Sequence, residues 1–433
     1  MKTNINHLIF LLLLFITINA NAQRPAPVDS SARRILLLGA TAHTGDGKVI
    51  DMSAIGIEAG KISFIMDAKG FRPDPKAFDT IIYVHDKHVY PGFIALNTNL
   101  GLSDLELVRA TNDFREAGWL NPGSRALIAY NTDSRVIPTV RDNGILMAQI
   151  VPQGGLLSGM SSVVQLDAWN WEDAAVKADE GIWMNWPSMR IYKAPWADPE
   201  EEQRERNEKS MRALTKQFDD AKAYAAGSNK TMNPHLEAMK GLFDKSKRLY
   251  IRCDYAREII EAVQFAGRYG LKAAIVGGSD AWMLTDLLKE KNIPVIIVRT
   301  HAVPYREDEA VDQKYRLPAL LFKAGVQVAI ADEGFWQQRN LGFQAGSAAG
   351  YGLSKEEALM TITSTPAKIL GIESNCGTLA DGKDATLFIS TGDALDMTGN
   401  KVELAFIQGR QINLDNYQKE LYRRYARKYG VSE

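Results

Sequence analysis

Hydrophobic and polar positions change period along the chain. Between residues 34 and 90 the apolar residues fall in short runs broken by turn signals. Arg34 to Leu38 predicts a strand and Thr44 to Lys48 a turn. Ala54 to Glu58 and Ile62 to Met66 predict a hairpin bent at Gly60 and Lys61. Thr80 to Val84 and Lys87 to Tyr90 continue the series. None of these runs is long enough for a helix.

From Tyr250 the pattern alternates between strand and helix. Leu249 to Ile251 predicts a strand. Ala256 to Tyr269 predicts a helix with Ile259, Ile260, Val263 and Ala266 on one face. Strands are predicted at Leu271 to Val276, Ile293 to Val298 and Val326 to Ile330. Helices are predicted at Asp280 to Lys291 and Lys314 to Ala324. The strands are continuous apolar runs, the pattern of a buried parallel sheet. Ser354 and Glu357 form a capping box, and Thr365-Pro366 starts another helix that Gly371 ends.

Strand signals then return at Ala385 to Ile389 and Glu403 to Ile407. Strands at both ends and βα units between them predict an α/β fold. The assembly this suggests is a βα barrel over 91–376 flanked by one small sheet domain built from both ends of the chain, 34–90 and 377–412. Residues 197–247 are charged and helix-forming, which predicts a solvated helical insertion. Residues 413–433 predict a C-terminal surface helix.

The first 22 residues have a different character. Lys2 precedes an apolar run from Leu8 to Ile18, followed by Ala20-Asn21-Ala22. That is a secretory signal cleaved after Ala22, with a linker over 23–33. The run is well short of the roughly 20 residues that span a bilayer, and no later segment spans. The expected location is therefore exported, periplasmic or secreted.

Composition narrows the chemistry. The net charge of −1 leaves no basic excess for nucleic acid. Cys253 and Cys376 are the only cysteines and form no C-x-x-C motif; two unlinked thiols are expected. Trp169, Trp171, Trp183, Trp186 and Trp196 cluster, a pattern that favours packing. Gly154-Gly155 with Ser158 to Ser162 predicts a glycine- and serine-rich loop. Six histidines are few, and one leaves with the signal. His43, His85 and His88 fall in the first strand region and His235 in the insertion. His301 follows a predicted barrel strand.

The ordered motifs resemble the amidohydrolase superfamily, nearest its imidazolonepropionase-like branch. They are Gly39-Ala-Thr-Ala-His-Thr-Gly-Asp-Gly47, Ile57-Glu-Ala-Gly-Lys-Ile62 and Tyr90-Pro-Gly-Phe-Ile94, then Gly377-Thr-Leu-Ala-Asp-Gly-Lys-Asp-Ala385 and Ala405-Phe-Ile-Gln-Gly-Arg410. The resemblance implies a (β/α)8 TIM barrel with a small composite β-sandwich domain formed from both ends of the chain, and metal-dependent hydrolysis of C–N bonds. The metal, zinc or another divalent ion, lowers the pKa of a bound water. The family's ligand positions are altered here. Asn97 and Asn99 stand at its His-x-His pair, Arg252 at the fifth-strand histidine and Gly277 near the sixth. Asp332 matches the final-strand aspartate.

Two readings follow. In the first, the family metal ligands are lost and no cofactor is expected. The chain then binds a small molecule or serves an active paralogue as partner, with a homodimer as another association. Asn97, Asn99, Arg252, Asp254 and Glu333 would line that pocket, with Arg252 paired to Asp332. In the second, Asp332 and His301 hydrolyse small C–N substrates through a remodelled site.

Overall fold

The computed structural model describes residues 27, 33–227, 231–304 and 306–431. The expected signal peptide and most of the expected linker lie outside the described residues. The central sheet has eight strands in sequence order. They are β1 (Phe93–Thr98), β2 (Ile145–Ile150), β3 (Leu157–Gln165), β4 (Ala175–Asn185), β5 (Arg248–Cys253), β6 (Ala273–Gly277), β7 (Val295–Val298) and β8 (Val328–Ala331). The helices used below are α1 (Val136–Arg141), α2 (Glu200–Ala226), α3 (Ala256–Tyr269), α4 (Gln313–Lys323), α5 (Leu341–Gly350) and α6 (Tyr417–Tyr429).

From β4 to β8 every neighbouring pair is parallel, as the apolar runs predict for β5 to β8. β3 is antiparallel to both of its neighbours. Its connection explains this. Six residues separate Ile150 from Leu157, whereas a parallel crossover needs about a dozen. The glycine- and serine-rich segment expected as a loop is therefore largely a buried strand. The barrel closes between β1 and β8 without ladder bonds. Ile94 N–H donates to Ile362 C=O at 3.0 Å, and Ile330 N–H to Thr361 C=O at 3.1 Å.

The two flanking sheets draw on both ends of the chain. Leu387–Ser390 pairs antiparallel with His88–Pro91, whose other neighbour is Thr41–His43. A second sheet orders Lys61–Asp67, Ser53–Glu58, Ile35–Leu38 and Thr80–Tyr83. Its hairpin turns on Ala59 and Gly60, both at positive φ, the geometry a two-residue hairpin loop needs. Lys61 is already in the strand.

The charged segment 197–247 is less solvated than its composition suggests. α2 buries Leu214, Phe218 and Ala221, and Phe218 packs edge-on against Phe265 of α3 at 4.9 Å. Leucine and phenylalanine at those positions give a narrow apolar stripe that seats the helix on the barrel. α3 spans the predicted residues and ends at Gly270, in the left-handed conformation (φ 68°). The Ser354–Glu357 capping box is also present.

Candidate functional site

A column of side chains from β4 and β5 stands in a buried cluster to which all eight barrel strands contribute. β4 and β5 pair in parallel, Trp183 beside Tyr250 and Asn185 beside Arg252. Side chains alternate along a strand, so the two pairs share one face, one above the other. Trp183 and Tyr250 are fully buried, their rings stacked 4.8 Å apart. The Tyr250 hydroxyl donates to Glu180 Oε2 at 2.8 Å. Gln149 Nε2 and the Ser161 hydroxyl donate to the other Glu180 oxygen at 2.6 and 2.5 Å. Burial raises the Glu180 pKa, and these three hydrogen bonds oppose the rise.

Arg252 caps the column. Its guanidinium carbon lies 4.5 Å from the Trp183 ring centroid, a cation–π contact. Nη2 donates to Asn97 Oδ1 at 2.9 Å and Nη1 to Asn185 Oδ1 at 3.5 Å. Nε is buried without a protein partner. Burial pushes the Arg252 pKa down to about 10, opposed by the Glu333 carboxylate. The group therefore remains a cation at neutral pH.

Asn97 reaches Arg252 through a local irregularity. Between Ala95 and Thr98 the pairing with β2 slips, and Asn97 takes φ 55°. Asparagine tolerates this left-handed conformation better than most residues, and a bulge of this kind re-aims a side chain. Asn97 Nδ2 and Asn99 Oδ1 are, like Arg252 Nε, buried without protein partners.

Asp332 is not paired with Arg252. Arg299, just past β7 and at φ 62°, donates through Nε to Asp332 Oδ1 at 3.1 Å. Gln344 of α5 donates to Oδ2 at 2.5 Å. Burial raises the Asp332 pKa, and Arg299 and Gln344 oppose it. The expected Arg252–Asp332 pair fails because Arg252 is held over the Trp183 ring, while Arg299 is a near neighbour in the chain's own β7–β8 pairing.

His301 Nε2 bonds the Ser347 hydroxyl at 2.6 Å. His301, Arg299 and Glu333 line an open cleft of about 530 Å³. Burial lowers the His301 pKa, and the Asp332 carboxylate opposes this. Asp254 does not join the pocket. It turns to the β6 loop, where Oδ1 accepts from Ser279 N–H at 3.2 Å and the Ser279 hydroxyl at 2.6 Å. Gly277 permits this approach. It sits at φ 99°, and a Cβ there would lie 2.9 Å from Asp254 Oδ1. A side chain at position 277 would displace Asp254.

Sequence reasoning thus placed Asn97, Asn99, Arg252, Asp332, His301 and Glu333 near strand ends, but it missed their partners. Arg299, Asn185 and Gln344 went unmarked, and Trp183 was marked only for packing. An arginine directly after the β7 run was the one readable signal. The tryptophan cluster divides: Trp183 is in the barrel, Trp186 packs on Phe265, and Trp169 and Trp196 are exposed. Cys253 and Cys376 are separate buried thiols. Among the described residues no three His, Cys, Asp or Glu side chains gather as a metal could require.

No protein-family model and no curated protein matches the chain. Solved structures do. An amidohydrolase from Thermotoga maritima is 22% identical with a TM-score of 0.74, covering 88% of this chain and 99% of its own. Molinate hydrolase (14%, TM-score 0.55) covers 89% of this chain and 96% of its own. An A. niger ochratoxinase (14%, TM-score 0.51) covers 88% and 96%. The chain shares its fold with these solved structures, an eight-stranded barrel with a composite β-sandwich drawn from both ends of the sequence.

Proposed function

We propose that this is an exported amidohydrolase-fold protein that binds a small carboxylate-bearing molecule at its barrel mouth. In this reading it does not hydrolyse C–N bonds through a barrel-bound metal. The observation that carries the reading is Arg252, a cation fixed over Trp183 with Nε buried and unpartnered. A guanidinium held in one plane offers the fork that a carboxylate matches. Asn97 Nδ2 adds a second unpartnered donor nearby. A buried polar atom left unpaired is costly, and an acid group would relieve both.

The donor set also argues against a family-type metal. Zinc favours imidazole, thiolate and carboxylate donors. Here the family positions offer two neutral amides, a guanidinium and a glycine. Both Asp332 oxygens accept hydrogen bonds from Arg299 and Gln344. His301 bonds Ser347, so Asp332 and His301 do not form the base-and-orienter pair that the hydrolytic reading needs. The apolar N-terminal run supports export.

Two measurements test the proposal. Purified mature protein with added zinc is expected to retain far less than one ion per chain after desalting. One tightly held zinc per chain, lost on Asp332→Ala, would overturn it. Calorimetric titration with a panel of small mono- and dicarboxylates is expected to show binding that Arg252→Met abolishes. Binding that survives this substitution would remove Arg252 from the site.

A further inference from the structure

The C-terminal helix has no role in the barrel chemistry, yet its side chains are sharply sorted. Its first turn is fixed to α1. Arg135 lies 5.3 Å over the Tyr417 ring, and Thr139 donates to Gln418 at 2.7 Å. Lys419 Nζ and Asn416 Nδ2 donate to Asp142 at 2.5 and 3.0 Å. Asp142 precedes β2, so α6 is anchored at the amino-terminal end of the barrel, opposite Arg252.

Beyond that anchor Ala426 is the one buried residue of α6. Tyr422, Tyr425 and Tyr429 are 56%, 52% and 70% exposed. Their spacing of three and four residues sets them along one face of the helix. Lys419, Arg423 and Arg424 pair with Asp142, Asp415 and Glu420, and Arg427 and Lys428 are the basic side chains of α6 without an acidic partner among the described residues. With five basic residues and one acid within its own length, α6 is net positive in a chain that carries −1 overall.

We propose that α6 is a peripheral membrane-docking helix that rests on an anionic phospholipid surface. A helix with a strongly charged face, low overall hydrophobicity and an aromatic stripe lies in the plane of a bilayer interface. Tyrosine favours the headgroup level, where its ring is sheltered and its hydroxyl stays wet. The basic side chains complement the anionic headgroups. Three exposed tyrosines with no large aliphatic residue exposed among them fit that interface better than a dry protein contact. Anchored opposite the mouth, α6 leaves the Arg252 end of the barrel open to solvent. This inference is independent of what the barrel binds.

Co-sedimentation of the mature full-length chain with phosphatidylcholine vesicles, with and without phosphatidylglycerol, tests it. Partitioning to the anionic vesicles is expected to exceed that to the neutral ones by more than about tenfold and to fall with salt. The triple variants Arg424→Gln/Arg427→Gln/Lys428→Gln and Tyr422→Ser/Tyr425→Ser/Tyr429→Ser are each expected to lose that excess with an unchanged thermal midpoint. If a triple variant does not fold, Arg427→Gln alone is expected to lower partitioning about fivefold. Equal partitioning to both vesicles, or no loss in the arginine variants, overturns the proposal. Full binding by the tyrosine variant also overturns it, because charge alone would then suffice. Tighter capture of polyglutamate or duplex DNA than of anionic vesicles would assign the helix to a soluble polyanion instead.

Discussion

Arg252 lies on the face of Trp183, its guanidinium carbon 4.5 Å from the ring centroid. The contact joins neighbouring strands and sets the upper limit of the packed barrel interior. Below it the side chains are buried, and above it the charged ends of β7 and β8 face the cleft.

That contact predicts a difference between two substitutions. Arg252→Met keeps a long side chain on Trp183 and removes the charge, so its unfolding free energy is expected to lie within about 1 kcal/mol of the parent. Arg252→Ala also removes the packing and is expected to cost roughly 1–3 kcal/mol. Urea titration distinguishes them. Equal losses would show that the charge, not the packing, stabilises the column.

The second prediction concerns pH. The Asp332 pKa is raised in the folded protein, chiefly by burial. A carboxyl group of this kind favours folding when protonated, and that contribution is lost as pH rises through its folded pKa. The stability of Asp332→Asn relative to the parent is therefore expected to improve as pH rises above about 4. Arg299 loses its partner in the variant, which adds a nearly constant offset. Denaturation at a series of pH values checks the slope. A difference independent of pH would contradict the assignment.

A histidine pair gives the opposite dependence. His43 Nε2 and His88 Nδ1 lie 3.0 Å apart, and His43 Nδ1 bonds Glu356 at 2.7 Å, linking a sandwich strand to a barrel helix. The His88 pKa is lowered by burial and then by the His43 ring. The unfolded chain binds this proton more readily, so stability is expected to fall as pH drops below about 6.5. His88→Gln is expected to flatten that part of the profile. An unchanged profile would place the pH sensitivity elsewhere.

Phe218 tests whether α2 is an integral layer of the barrel. It is fully buried and packs on both Phe265 and Tyr269. Phe218→Ala is expected to cost about 3–5 kcal/mol of unfolding free energy. A solvated, dispensable insertion would show almost no change.

Much of this architecture was legible in the sequence because it follows from local periodicity. The apolar runs set the buried strands from β5 onward, and the 3.6-residue spacing set α3 to its last residue. The turn and capping residues set the ends of several elements. The sequence also fixed the chemistry available, since amides, a guanidinium and a glycine stand where the resemblance leads one to expect imidazoles. Tertiary structure alone decided the pairings. Asn97 and Arg252 are 155 residues apart, and Asp332 takes Arg299 rather than Arg252. Periodicity tells which face of a strand a side chain occupies. Which partner it meets depends on the register and stagger around a closed barrel, on one bulge in β1 and on the reversed direction of β3. Those are properties of the assembled sheet, and no local stretch of the chain contains them.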